Sequence, residues 1–231
     1  KWKLENEIEL EEVWMDSTCV KANIHFPVDW VLLRDGVRTL MKTVKLIRKH
    51  GLKHRMEDPS IVLKRMNQLS IQMSMSKRKK DSKKERKRIF REMKRGVKRV
   101  EGHAKRYRRI LDERWEESDC TRKQAEVVLK RMDEILDLLP LAQEQAHERI
   151  IGGRLIENEE KILSLYEREM EVIVRKKAGA EVEFGNRLLL AEQKNGLIVD
   201  WKLYGKGSLA DSQLMKESLE RVERWSGKKI R

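Results

Sequence analysis

The chain has 231 residues and a formal net charge of +14, with 40% charged and 39% hydrophobic residues. Ordinary globular domains are about 25% charged and about 45–50% apolar, so this composition favours long exposed helices over one large core. Its two cysteines, Cys19 and Cys120, lie far apart, which excludes a disulfide-rich secreted scaffold and predicts a protein of the reducing cytoplasm.

The chain begins with a predicted β-region. Residues 1–24 predict one or two strands, because apolar and polar side chains alternate along part of this stretch. Pro27 marks a loop. The stretch Trp30–His50 then repeats apolar residues at helical spacing and ends at Gly51, a residue typical of helix ends.

Helices are predicted through the middle of the chain. One begins near Pro59, and residues 61–111 contain no proline. They predict one long helix, or two helices with a break around Ser74–Ser82. Thr121 and Gln124 have the spacing of a capping box, which predicts the start of another helix.

The positive charge is concentrated within this helical part. Residues 77–109 contain 18 Lys or Arg and 4 Asp or Glu, whereas the rest of the chain has 35 residues of each sign. Such a local excess is the electrostatic footprint of a nucleic-acid partner. The alternative is a solvated helix face paired with acids, but four acids cannot neutralise eighteen bases. The candidate contact residues are Lys77, Arg78, Lys79, Lys80, Lys83, Lys84, Arg86, Lys87, Arg88, Lys94, Arg95, Lys98 and Arg99.

The last part of the chain returns to strands. Two apolar runs, 181–192 and 197–204, are separated by Asn195-Gly196, a strong signal for a β-hairpin. Asp211 is then predicted to cap a final amphipathic helix.

The order of these elements predicts a helix-dominated α+β fold in three parts. Residues 1–26 form the first strand or strands, 27–160 a helical region, and 161–231 the hairpin and the last helix. Because the first strand is far from the hairpin in sequence, we interpret the helical region as an insertion.

Asp16 is the main candidate for chemistry. It lies on the first predicted strand, directly before the hydroxyl residues Ser17 and Thr18. A carboxylate on a strand can bridge two divalent cations, which prefer oxygen ligands. Two such metal ions stabilise the attacking and the leaving oxygen of a displacement at phosphorus. The alternative is a local hydrogen bond from the backbone to the Asp16 side chain. The residues alone leave both roles open.

The segment 13–40 resembles the first-aspartate block of DDE-type insertion-sequence transposases, in the group labelled ISNCY. The matching residues are Asp16, Ser17, Thr18, Asn23, Ile24, His25, Phe26, Pro27, Asp29, Leu32, Leu33, Asp35, Gly36, Val37 and Arg38. A second block resembles a later part of the same proteins through Lys177, Val182, Glu183, Phe184, Gly185, Asn186 and Arg187. Positions that depart from the family pattern are Val20-Lys21, Val28, Trp30 and Lys176.

The resemblance implies a partial ribonuclease-H-like core and a DNA transposase that cuts and joins DNA strands. It makes Asp16 the first catalytic and metal-binding residue of an Asp-Asp-Glu triad, with Mg²⁺ or Mn²⁺ as cofactor. It implies transposon-end DNA as partner, a homo-oligomer in the full protein, and a place at the bacterial nucleoid. The second aspartate and the glutamate are expected beyond Arg231. We therefore expect a fragment of a transposase that is inactive alone.

Other residues of the first block have two possible roles each. Asn23 and His25 could position the substrate or shape the loop. Asp29 could support the metal site or cap the following helix. Asp35 and Arg38 could support the site, or they could pair with each other at i,i+3 spacing.

Glu183 belongs to the second block. It could lie near the metal, or it could form a salt bridge with Arg187 at a strand edge. The sequence leaves a second function class open: a non-enzymatic basic helical protein that binds nucleic acid or a partner helix. Pairing of the first strand with the hairpin in one sheet would favour the transposase.

Overall fold

The computed structural model describes residues 10–24, 26–76, 81–177 and 180–230, and it divides into two compact units. One contains the described residues of Lys1–Ile24 and Glu169–Arg231, and the other those of His25–Arg168. Helices dominate, and the strands form one antiparallel sheet, so the predicted α+β class is confirmed.

The second unit is built from four helices. They are α1 (Asp29–Lys49), α2 (Pro59–Ser76), α3 (Ser82–Arg114) and α4 (Arg122–His147). A 3₁₀ turn, Trp115–Glu117, follows α3, and a π-helical turn, Glu148–Gly152, follows α4. The two-helix alternative for residues 61–111 is therefore the correct one.

The core of this helical unit is a set of buried stripes spaced three and four residues apart. On α1 the stripe includes Leu33, Val37 and Leu40, all completely buried. The helices α1 and α4 approach closely at Gly36, where an added Cβ would lie 2.6 Å from a methyl group of Leu139. Apolar residues at helical spacing thus form the packed sides of these helices, and the small residue Gly36 allows α1 and α4 to approach closely.

Specific hydrogen bonds fix the start of α4 and the loop after α1. The predicted capping box is confirmed, because Thr121 Oγ1 accepts the Gln124 N–H and Gln124 Oε1 accepts the Thr121 N–H. Buried Tyr107 holds the loop after α1, since its hydroxyl donates to the His54 carbonyl at 2.7 Å and accepts the His54 N–H at 3.0 Å.

The first unit is a four-stranded sheet with one helix. Its strands are β1 (Val13–Lys21), β2 (Glu171–Lys177), β3 (Ala180–Gln193) and β4 (Ile198–Tyr204), and α5 (Asp211–Ser226) follows them. β3 pairs with all three other strands, always antiparallel. Since β1 and β4 pair with the same residues of β3, they lie on its two opposite sides.

The hairpin between β3 and β4 turns at Asn195-Gly196 as predicted. Gly196 has φ +86°, a left-handed conformation that favours glycine, and Asn195 Oδ1 accepts the Leu197 N–H at 3.1 Å. The sheet has a small apolar core, in which Leu189, Tyr204 and Leu214 meet. One face of the sheet packs on α5.

The predicted cap of the last helix is wrong. Asp211 is the first residue of α5 rather than its cap, and Ala210 occupies the cap position without a side-chain hydrogen bond. Asp211 instead accepts hydrogen bonds from Ser17 Oγ at 3.1 Å and from Arg187 at 3.0 Å. The carboxylate therefore connects the start of α5 to β1 and β3.

Candidate nucleic-acid interface

The helix α3 has one buried side and one basic side. Its buried residues follow helical spacing along the core-facing side: Ile89, Phe90, Met93, Val97, Val100, Ala104, Tyr107 and Leu111. Most lysines and arginines occupy the remaining circumference, and Arg86 is an exception on the buried side. The amphipathic pattern thus sorts the charge onto the solvent side.

We define the basic face as the α3 lysines and arginines that lie on the side of the helix opposite the buried stripe and form no ion pair within the described part of the chain. At about 100° per residue they fall within a sector of about 160°, opposite the buried stripe, and they extend over about 40 Å of helix. They are exposed or half-buried. The members are Lys83, Lys84, Lys87, Arg91, Lys94, Arg95, Lys98, Arg99, Lys105, Arg106 and Arg109.

Two residues predicted for this interface have other contacts. Arg88 pairs with Glu85 at 2.9 Å and with Glu92 at 3.0 Å, and the hydrogen bond to Glu85 raises its pKa. The Arg86 guanidinium lies over the ring of Trp30, 5.4 Å from its centroid. Neither is a member of the basic face, and the predicted residues 77–80 lie outside the described residues.

Two other titratable side chains of α3 have shifted pKa values. Burial raises the pKa of Glu101, although Lys105 and Lys98 act in the opposite direction. Burial also lowers the pKa of His103, with Arg106 and Arg99 adding to the shift. The histidine is thus neutral over a wider pH range, and the lysines and arginines carry the positive charge.

Asp16 lies on β1, opposite Leu190 of β3. Burial alternates along β1, and Asp16 is on the exposed side of the strand, whereas Ser17 points toward α5. Asp16 Oδ1 accepts the backbone N–H of Ser17 at 2.8 Å. This contact is the local hydrogen bond that the sequence offered as the alternative to metal binding.

The described residues contain no group of three or more His, Cys, Asp or Glu side chains that could hold a metal ion. One carboxylate does not fit a two-metal site, which needs several oxygen ligands around each ion. Of the three carboxylates that the resemblance implies, the described residues supply only Asp16, and no catalytic step follows from them.

Asp29 has a structural role. It is the first residue of α1, and Val28 is the cap, without a side-chain hydrogen bond, so the predicted Asp29 cap is wrong. Asp29 is buried and accepts two hydrogen bonds from Arg149, both 2.9 Å, and one from Gln145 at 3.0 Å. These contacts fasten the start of α1 to the end of α4.

The other residues of the first block are dispersed. Asp35 pairs with Arg34 at 2.8 Å and not with Arg38, which was one of the two roles that the sequence left open. Arg38 is exposed on α1, and Asn23 follows β1 in the other compact unit. His25 lies outside the described residues. Asp16 and Asn23 share a unit with the strands, whereas Asp29, Asp35 and Arg38 lie in the helical unit.

Glu183 pairs with Lys21 at 3.0 Å. The expected partner, Arg187, instead contacts Asp211 at 3.0 Å and Glu171 at 3.7 Å, so the predicted Glu183–Arg187 bridge is wrong. Because β1 and β3 are neighbours, the Lys21–Glu183 pair joins two strands rather than two positions of one strand.

Asp200 is a charged contact that the sequence did not reveal. It lies on β4 and accepts hydrogen bonds from Ser218 at 2.6 Å and from Arg221 at 2.6 Å, both on α5. Burial favours the neutral acid, but these bonds outweigh it, so the pKa of Asp200 is lowered. Alternating apolar and polar residues on a strand could not show which face of the sheet α5 covers.

Comparisons with protein-family models, with curated proteins and with solved structures found no match. Throughout the described ranges, no helix combines the length and apolarity required to cross a membrane.

Proposed function

We propose that the chain binds the phosphate backbone of DNA through the basic face of α3. The observation that carries the proposal is the basic face itself: lysines and arginines that form no ion pair with any described residue, on one side of a helix whose other side is buried. Neutralising phosphates with such residues releases counterions and gives an affinity that depends on salt but little on sequence.

The exposed side of α3 carries charged side chains but no Phe, Tyr or Trp ring on which a nucleic-acid base could stack. The aromatic residues of α3, Phe90 and Tyr107, are completely buried on the opposite side. Single-stranded nucleic acid is bound with the help of exposed aromatic rings. The length of the basic face, about 40 Å, is comparable to one turn of duplex DNA, about 34–36 Å. These features favour duplex DNA.

The test is the salt dependence of binding. Fluorescence anisotropy with a labelled duplex, between about 0.05 and 0.2 M salt, should show a linear fall of log affinity against log salt with a slope of about −5 or steeper. Such a slope corresponds to at least five or six phosphate contacts. An affinity that does not change with salt would refute phosphate contact.

We further propose that the chain belongs to the DDE transposase lineage, as a part of a strand-transfer enzyme. The resemblance of the two blocks supports this proposal. So does the sheet: β1, which carries Asp16, pairs with β3, β3 pairs with β4, and a helix follows. A ribonuclease-H-like core begins with three antiparallel strands and a helix in this order. A detached first strand would have counted against it.

In this proposal Asp16 would supply one of the carboxylates around two divalent cations, which stabilise both oxygens of the displacement at phosphorus. A DNA strand-transfer assay on the product of the whole gene tests it. Asp16→Asn should abolish transfer, whereas Glu192→Gln on β3, at the same end of the sheet, should leave it intact. Full activity of the Asp16→Asn protein would refute the role of Asp16.

The second candidate is a DNA-binding protein without catalytic activity. The hydrogen bond from the Ser17 N–H to Asp16, and the single carboxylate at this position, favour it. The two candidates share the basic face and differ only at Asp16, so the strand-transfer assay separates them.

A further inference from the structure

A pocket lies within the helical unit, where α1 begins and the π-helical turn after α4 ends. Its volume is about 430 Å³, within the size range of small-molecule sites, about 300–1,000 Å³. Its lining includes three arginines, Arg86, Arg149 and Arg154, together with apolar side chains. The basic face does not include this pocket, but Arg86 belongs to the same helix.

Two apolar residues that line the pocket are largely exposed to solvent. The Phe26 side chain is 72% exposed and that of Leu155 is 89% exposed. The Trp30 indole forms a buried wall and is held in place, since its Nε1–H donates to Ser74 Oγ at 3.3 Å. An exposed aromatic ring beside cationic side chains is the arrangement on which nucleic-acid bases stack.

The three arginines differ in whether they already form ion pairs with acidic side chains. Arg149 is neutralised by buried Asp29 at 2.9 Å. Arg154 pairs with Glu148 at 2.8 Å and with Glu160 at 3.3 Å. Arg86 forms no ion pair within the described residues.

Arg86 also has an unsatisfied donor. Its Nε–H is buried and has no hydrogen-bond partner among the described residues. A buried donor without an acceptor is unfavourable, so the Arg86 side chain has hydrogen-bonding capacity that the described residues do not use. Arg86 is one helical turn from Lys83 and next to Lys87, so the basic face begins beside this donor.

We propose that this pocket holds one unpaired nucleotide of a DNA strand whose duplex lies on the basic face. The base stacks on Phe26 against Leu155, and its phosphate accepts a hydrogen bond from Arg86. The proposal rests on the proposed DNA contact of α3 and adds to it a preference for DNA ends that carry a single-stranded overhang.

Equilibrium binding to three labelled duplexes of equal length tests the proposal: one blunt, one with a short 3′ overhang and one with a short 5′ overhang. The full chain should bind one of the overhang duplexes about tenfold more tightly than the blunt duplex, as expected for stacking of one base. Phe26→Ala should remove this preference and leave blunt-duplex affinity unchanged. Phe26→Trp should restore it.

The matched control is Ile71→Ala, which removes a side chain of similar exposure, 59%, from α2. It should keep the preference. Arg86→Gln should reduce the preference without changing the fold, as checked by circular dichroism.

Equal affinity of the unmodified chain for all three duplexes would overturn the pocket proposal. If blunt-duplex binding then remained steeply dependent on salt, the proposed function would stand without it. Absence of binding to any duplex would overturn both. A preference that survives Phe26→Ala would also refute the pocket, because the overhang would then bind elsewhere.

Discussion

The two compact units are stabilised in different ways. The helical unit has an extensive apolar core with completely buried residues from all four helices. The core of the sheet unit is a small cluster around Leu189, Tyr204 and Leu214. There, charged contacts join α5 to the strands: Arg221 with Asp200, Lys202 with Glu217, and Arg187 with Asp211.

This difference explains why a chain with 40% charged residues can still fold into defined units. In the helical unit, buried Asp29 with its partner Arg149 is an exception, and most charges lie on the solvent side, where those of the basic face remain available for a partner. In the sheet unit many of the charges are used internally. Substitutions should therefore affect the two units through different interactions.

The largest expected effect is the loss of a core side chain in the helical unit. Leu40→Ala should lower the free energy of unfolding of this unit by about 3 kcal/mol, because Leu40 is completely buried and its removal leaves a cavity. Hydrogen exchange resolved by peptide should show lost protection in α1 and unchanged protection in β3. Leu46→Ala, on the same helix but 39% exposed, is the control and should cost far less.

A smaller effect is expected from the charged contact in the sheet unit. Arg221→Met should destabilise this unit by about 2 kcal/mol, the range of a hydrogen bond to a charged group, because Asp200 loses its cation while it remains half-buried. Peptides from β4 and α5 should exchange faster, and those from α1 should not. Arg224→Met, one turn away in sequence, removes the same charge without this contact. Equal effects of the two substitutions would contradict the assignment.

The smallest effect concerns pH. The pKa of Asp200 is lowered from its ordinary value of 3.8 in the folded chain. A depressed carboxyl pKa contributes stability that is present above pH 3.8 and is lost as the pH falls through the folded pKa. The sheet unit should therefore lose stability below pH 3.8 more steeply than an Asp200→Asn variant, as measured by urea unfolding at several pH values.

The sequence predicted local features well. Helical periodicity located α1 at 30–50, against the observed Asp29–Lys49, and the capping box at Thr121 and the turn at Asn195-Gly196 are both confirmed. Each of these three features is formed by residues that are close together in the chain, so a local sequence pattern is enough to predict it.

The sequence failed where the partner of a residue is remote. Asp29 and Asp211 each occupy a position typical of a helix cap, yet their partners, Arg149 and Arg187, are distant in sequence. No local pattern distinguishes a capping carboxylate from one that pairs across the fold. The same limit applies to Asp200, whose face of the sheet is determined by where α5 packs.

The central claim is that the basic face of α3 contacts DNA phosphates. Two triple variants of equal charge test it. One replaces three members of the basic face with glutamine: Arg91, Arg95 and Lys98. The other replaces three exposed lysines of α1 with glutamine: Lys42, Lys45 and Lys49.

The measurement is the slope of log affinity against log salt for a duplex with each variant. If the three α3 side chains each contact a phosphate, the slope of that variant should become shallower by about 2.7, whereas the α1 variant should keep the slope of the unmodified chain. A change of equal size in both variants would show that net charge, and not the basic face, determines binding, and it would contradict the account.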